Sequence, residues 1–356
     1  MFEEFYKGKT VLVTGHTGFK GSWLSVWLHE MGARVIGYSL DPLSENDNFV
    51  LSGIGDKIVD LRGDVRDKDR LSEVMSTYRP DIVFHLAAQA LVRLSYKIPA
   101  ETYEVNLMGT INVLEAIRTT ESVKVGVFIT TDKCYENKEQ IWGYRESEPM
   151  GGYDPYSSSK AACEIAIASW RRSFFHPDDF EKHGKSILSA RAGNVIGGGD
   201  RGLDRIIPDC IKSLEANKPI EIRSPNSIRP WQHVLEPLSG YLLLAKKAFE
   251  EPSAYCEAWN FGPKDDSIAT VWDVAGLVVN AYGKGTLKDV SNKQNVHEAT
   301  LLRLDISKAR FILGWQPRLT LEENIELTVD WYKRYTSTDV YELCLEQIRY
   351  FEEKSL

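Results

Sequence analysis

The sequence predicts an α/β protein: a doubly wound parallel sheet followed by a smaller mixed α/β lobe. Three observations carry this. Short β-rich apolar runs alternate with helix-periodic segments from Thr10 to Arg191. A glycine-spaced turn joins the first run to the first helix. After Arg191 the alternation stops at a glycine-rich segment, Gly193–Gly202. Strands alternating with helices mean right-handed βαβ crossovers and a parallel sheet.

The strand candidates in order are Thr10–Thr14, Arg34–Tyr38, Lys57–Leu61, Ile82–His85, Val125–Thr130 and Ser186–Arg191. They carry few polar residues, as expected where both sheet faces are covered. Leu24, Trp27, Leu28 and Met31 recur at i, i+3, i+4 and i+7, one face of a helix. Leu71, Val74 and Met75 begin a second such face. A longer apolar set runs from Val105 to Ile117. The second lobe has helix patterns near Asp204–Asn217, Leu235–Phe249, Thr270–Tyr282 and Leu321–Tyr335, and short strands at Ile220–Arg223 and Ala258–Phe261. The first lobe is expected over 1–192, with a return at about 229–262, and the second mainly over 193–356.

Composition bounds the function. The chain has 356 residues, long enough for about two domains and a core without staples. Its net charge is -8, against bulk attraction to nucleic acid or anionic membrane. No apolar run reaches the roughly 18 residues of a membrane helix. The residues before Thr10 lack the apolar core of a signal peptide. The five cysteines are scattered and form no CxxC pair, which fits a reducing cytoplasm. The seven histidines show no ligand spacing, so no metal site is expected.

Gly15-His16-Thr17-Gly18-Phe19-Lys20-Gly21 follows the first strand and opens the first helix. Gly15 suits the tight turn, Gly18 a close backbone approach to a pyrophosphate, and Gly21 close helix–sheet packing. The helix start then faces an anion. This is the Rossmann-type arrangement for a dinucleotide. Asp41 stands 20 residues after Gly21, where an acid binds the adenosine ribose, although Ser39 is the expected end of the second strand. No arginine occurs in Tyr38–Val50 to hold a 2′-phosphate, which favours NAD. Asp64 and Val65, after the third strand, are candidates for the adenine.

Tyr156 and Lys160 form a YxxxK pair at the start of a helix, on one face at i, i+4. The spacing itself is common: Tyr350 and Lys354 share it. Position distinguishes the first pair, downstream of the nucleotide turn and after the fifth strand. Making a tyrosine a base at pH 7 costs about 4 kcal/mol. An ammonium about 5 Å away supplies roughly 3 kcal/mol at an effective dielectric near 20. Thr131, at the carboxyl end of the fifth strand, can align a substrate hydroxyl. Asp132 and Lys133 add an acid and a base beyond what a simple dehydrogenase needs, pointing to a second proton transfer; a plain salt bridge is the other reading.

These motifs, with Arg191-Ala192-Gly193-Asn194-Val195-Ile196-Gly197 and Arg229-Pro230-Trp231-Gln232-His233-Val234, resemble the extended short-chain dehydrogenase/reductase family over essentially the whole chain. Within it the sequence is most similar to the nucleoside-diphosphate-sugar 4,6-dehydratases, in the branch acting on CDP-glucose. The resemblance implies an NAD-recycling lyase. Tyr156 would deprotonate the glucosyl 4-hydroxyl, Asp132 would protonate the departing 6-hydroxyl, and Lys133 stands where relatives place a Glu that removes the C5 proton. Two roles are open for Lys133, neutral base or charged stabiliser of an enolate. In water the neutral-lysine tautomer lies roughly 9 kcal/mol above the ion pair. Gly15–Lys20, Ser39, Asp41, Asp64, Val65, Leu86, Ala87, Ala88, Gln89, Asn106, Tyr156 and Lys160 would hold the cofactor. Gln89, Asn194, Arg201, Arg229 and Arg303 would hold the nucleotide-sugar. His16 and Lys20 replace smaller residues usual in that turn. His85 reads as a satisfied core histidine. The resemblance further implies dideoxyhexose supply for lipopolysaccharide O-antigen. It also implies a homodimer or dimer of dimers, through helices near Glu101–Arg118 and Tyr153–Phe174. A same-fold sugar-nucleotide 4-epimerase is the alternative.

Overall fold

The computed structural model describes residues 2–264, 267–291 and 301–354. Its centre is a seven-stranded sheet: β1 (Thr10–Thr14), β2 (Arg34–Ser39), β3 (Val59–Arg62), β4 (Ile82–His85), β5 (Val125–Ile129), β6 (Ser186–Ala192) and β7 (Ala258–Phe261). The spatial order is β3-β2-β1-β4-β5-β6-β7. Every neighbouring pair is parallel. Strand order reverses between β1 and β4, which opens a crevice at the carboxyl ends where ligands bind in such sheets.

β1, β4, β5 and β6 are buried at nearly every position. Only parallel strands with helices on both faces reach that state. The third strand starts two residues later than its pattern predicts, because Ile54–Lys57 closes a 3-10 turn before it. The chain re-enters the sheet after the glycine-rich segment. The helix Leu235–Glu250 packs against β5 and β6, and β7 pairs with β6.

The helix Phe19–Glu30 departs from its predicted single face: Gly21 to Leu28 are all buried. A helix not read in the sequence, Val340–Glu353, covers its other side. Phe351 meets Trp27 edge-on at 5.9 Å, and Trp27 Nε1 donates to Glu352 Oε1. The signal was present: Asp339 caps the helix, and Tyr341, Cys344, Leu345 and Ile348 repeat at helical spacing. The glycine-rich segment is a loop except at Val195–Ile196, which pairs with Gln232–His233.

Candidate active site

A cavity of about 1020 Å³ opens at the carboxyl ends of the strands. Thr131, Asp132, Lys133, Tyr156 and Lys160 all line it, with Phe19, Lys20, Leu86 and Ala88 from the first half of the chain and Asn194 and Arg229 from beyond β6. The sequence brings these together for local reasons. β5 ends at Ile129, and Thr131 caps a tight 3-10 turn over Asp132–Cys134 by accepting from the Lys133 amide. Asp154 caps the helix Pro155–Ser173 by accepting from the Ser157 amide, so Tyr156 and Lys160 sit in its first turns.

Asp132 is buried, and burial pushes its carboxyl pKa up; Lys133, Thr131, Arg229 and Lys20 pull against that shift. Thr131 Oγ1 donates to Asp132 Oδ1 at 3.0 Å, while Oδ2 has no hydrogen-bond partner. Lys133 therefore acts on Asp132 as a nearby charge rather than as a hydrogen-bonded partner. Trp231 Nε1 and Arg93 Nε also line the cavity without a partner.

Tyr156 differs from its expected electrostatics. Burial raises its pKa well above the usual value, the field of Asp132 adds to that, and hydrogen bonding with Thr131 and the charge of Arg205 oppose it. Lys160 is also buried, which lowers its pKa, and its Nζ donates to the Ile129 carbonyl at 3.1 Å. In the protein alone Thr131 and Arg205 do the acidifying that spacing alone assigned to Lys160. Arg205 is a cavity residue that sequence reasoning missed. It stands just before the helix Ile206–Glu215, within the span Asp204–Asn217 expected to be helical, and Asp200 holds it at 2.8 Å. Lys20 faces the same cavity, where burial and the charges of Arg205 and Lys160 lower its pKa to about 8.

The glycine turn fits a dinucleotide phosphate. Gly15 has φ +76°, and a Cβ there would lie 2.7 Å from the Ala87 nitrogen. No side chain caps the helix that starts after Gly18, so its first N–H groups face outward for an anion. Thr17 Oγ1 ties the turn to Ser39 Oγ at 2.9 Å.

Several expected contacts are arranged differently. His16 lies under the turn, over Gly37, with Nε2 on Asp60 at 2.7 Å, because the glycine leaves room for an imidazole there. Asp41 is paired with Arg62 at 2.9 Å. The absence of arginine from Tyr38–Val50 thus says little, since the neighbouring strand supplies one. Asp64 turns to Arg66 at 2.6 Å, and Val65 packs against Gly109. Asn106, in the π-helical turn Glu104–Met108, holds both backbone groups of Gln89 and donates to Ser159 Oγ. The Gln89 side chain is spent on Leu91 and Thr102. Both are struts rather than cavity groups. Arg201 stacks over Tyr332 and Tyr335, outside the cavity lining, because aromatic rings flank the loop there. Arg303 donates to the Ile141 carbonyl beside the cavity, which its neighbour Leu302 lines. His85 has both nitrogens partnered, by Thr14 and Thr110, and burial lowers its pKa to about 3. Tyr350 and Lys354 both bond Glu323, far from this chemistry.

A glycine turn suited to a dinucleotide, the acid–base side chains and a cleft therefore meet at the carboxyl ends of the strands. The sequence profile of the GDP-mannose 4,6 dehydratase family matches residues 12–328. The chain belongs to that family. Among its relatives, the CDP-glucose 4,6-dehydratase of Salmonella typhimurium is 48% identical over 342 residues, covering 96% of this chain and 95% of the relative. A dTDP-glucose 4,6-dehydratase from Xanthomonas campestris is 26% identical over 91% of this chain and 93% of its own. Among solved structures, UDP-glucose 4-epimerase of Thermotoga maritima with UDP-glucose has a TM-score of 0.79 at 24% identity, covering 92% of this chain and 100% of its own. A dTDP-glucose 4,6-dehydratase of Bacillus anthracis in complex with NAD has a TM-score of 0.75 at 22% identity, over 92% of this chain and 97% of its own. These last two likenesses show that dehydratases and epimerases of the family share the fold.

Proposed function

We propose that the chain converts CDP-D-glucose to CDP-4-keto-6-deoxy-D-glucose and water. The observation that carries this is the second proton-transfer pair, Asp132 and Lys133, in the same cavity as Thr131 and Tyr156. A 4-epimerase needs the latter two and not the former. The likeness to the Salmonella CDP-glucose 4,6-dehydratase supports the cytidine nucleotide.

NAD, when bound, would supply the hydride acceptor for oxidation at C4 and the hydride donor for reduction at C6. The glycine turn, Phe19, Lys20, Leu86, Ala88 and Lys160 would hold it. Tyr156 Oη takes the proton of the 4-hydroxyl, which Thr131 aligns. The 4-ketone acidifies C5–H; in the tautomer in which Asp132 holds the pair's proton and Lys133 is neutral, Lys133 Nζ takes the C5 proton and becomes the ammonium. Asp132, pushed toward its protonated form by burial, gives a proton to the 6-hydroxyl as the C6–O bond breaks, so water leaves. Oxidation at C4 and reduction at C6 balance. Asn194 and Arg229, which line the cavity, would meet the diphosphate, where a planar guanidinium suits phosphate oxygens.

We assign the first lobe to the cofactor and the second mainly to the substrate. We place the enzyme in the cytoplasm, where its five buried, unpaired cysteines are stable. No helix among the described residues is long and apolar enough to cross a membrane. A homodimer would cover Tyr103, Met108, Ile165 and Phe174, which are exposed on adjacent helices. The product class suits dideoxyhexose synthesis for O-antigen. The test is turnover against a panel of nucleoside-diphosphate glucoses. The cytidine substrate should be consumed fastest; equal rates with uridine and thymidine substrates would reject the base assignment, and recovery of CDP-galactose would reject dehydration.

A further inference from the structure

A buried ion pair lies beneath the acid–base segment. Arg191 NH2 and Glu164 Oε2 are 2.8 Å apart, with side chains only 5% and 3% exposed. Removing two charges from water is costly, and such pairs seldom justify themselves as stability devices. Its remaining bonds show another use. Glu164 Oε1 accepts from Thr130 Oγ1, immediately before Thr131. Glu164 Oε2 also accepts from Ser189 Oγ at 2.8 Å. Arg191 NH1 donates to Tyr135 Oη at 2.7 Å and to the Glu146 carbonyl at 3.0 Å. Tyr135 in turn donates to Asn260 Oδ1 at 2.7 Å and stacks on Tyr144. Glu164 lies on the helix that carries Tyr156 and Lys160, one turn beyond Lys160.

We propose that Glu164 and Arg191 are positioning residues: one ion pair fixes Thr130 before, and Tyr135 after, the segment Thr131–Lys133. The ends of the segment are thus referenced to β6, to β7 and to the helix that bears the tyrosine base. Neither residue lines the cavity. This inference rests on the dehydratase reading for its kinetic consequence. Tyr156 stands on a capped helix of its own, so loosening the Tyr135 end disturbs Asp132 and Lys133 more than it disturbs Tyr156. A misplacement of about 1 Å can cost up to a hundredfold in rate.

The experiment uses the full-length, NAD-loaded protein and the variants Tyr135→Phe and Glu164→Gln. Single-turnover reaction with CDP-glucose follows the reduced cofactor and the 4-keto-6-deoxy product. Expected in Tyr135→Phe is a loss of about ten- to a hundredfold in elimination, C4 oxidation within about threefold of the parent, an unchanged KM and a build-up of reduced cofactor; in Glu164→Gln, which also frees Thr130 beside Thr131, C4 oxidation falls too, by less than elimination, with KM unchanged. Elimination at the parental rate overturns the proposal. So does an equal fall in both steps with a raised KM, the mark of a purely structural role. A second readout needs no turnover: amide hydrogen exchange at Lys133–Tyr135 should quicken about tenfold in Tyr135→Phe, with Tyr156–Glu164 unchanged. Unchanged exchange at Lys133–Tyr135 overturns the proposal on its own. Failure of the parent to consume CDP-glucose would count against the dehydratase reading alone, and exchange would still decide the clamp.

Discussion

Tyr156 faces two opposed influences, burial and Asp132 against Thr131 and Arg205. It is the cavity residue proposed as the base for the 4-hydroxyl. Tyr156→Phe should lower turnover by about 10²–10⁴-fold with NAD binding retained, as titration of the variant with NAD would show. Near-normal rates would mean that another group is the base. Lys133 carries a separate prediction. Lys133→Ala should slow elimination more than C4 oxidation, so reduced cofactor accumulates on the enzyme, and an unaltered product rate would refute its role at C5. The cavity residues Thr131, Asp132, Lys133, Tyr156 and Lys160 were legible in the sequence because they cluster in two short motifs at strand and helix ends. Arg205 and Arg62 were not, since no local motif shows that one enters the cavity or that the other, on β3, pairs with Asp41.

At the scale of elements, helix ends and one buried acid set local stability. Thr320 and Glu323 cap the helix Leu321–Arg334 reciprocally. Trp331 on that helix leaves no room for a Cβ at Gly198, and Tyr332 Oη donates to the Asp200 carbonyl, so it braces the loop that aims Arg205. Thr320→Ala should cost about 1 kcal/mol, read as a lower denaturant midpoint with unchanged slope. Glu236, in the helix Leu235–Glu250, is 1% exposed and accepts from the Arg318 and Leu319 amides. Burial raises its pKa from 4.5 to about 7, against those bonds. A carboxyl raised in the folded state gives stability that is complete below its unfolded value and lost as pH climbs through the folded one. Stability should therefore fall by about 3 kcal/mol between about pH 4.5 and 7 from this group. Glu236→Gln should flatten that stretch of the stability–pH curve, and an equally steep curve would show that other groups produce it. Periodicity found most helices but misjudged Phe19–Glu30, because a helix covered on both sides has no polar face to reveal its partner.

For the whole molecule, the fold class followed from the alternation of apolar runs and the glycine turn, and sequence could go no further than local pattern. It carried the return of the chain at about 229–262 and the strand Ala258–Phe261, but not the pairing of that strand with β6 or the packing of the helix Val340–Glu353 on Phe19–Glu30, since both joins span long separations. The same limit applies to assembly. Ile165→Arg, on the exposed apolar face, should shift the protein from dimer to monomer in sedimentation velocity, and an unchanged mass would remove that face as the interface.

If one cavity oxidises C4, expels water across C5–C6 and reduces C6 with the same hydride, a label at C4 must move to C6. Turnover of CDP-glucose bearing deuterium at C4, run in ordinary water with NAD-loaded protein, tests this most directly. The 4-keto-6-deoxy product should carry the label at C6. Label kept at C4 of a recovered hexose, or lost to solvent, would contradict it.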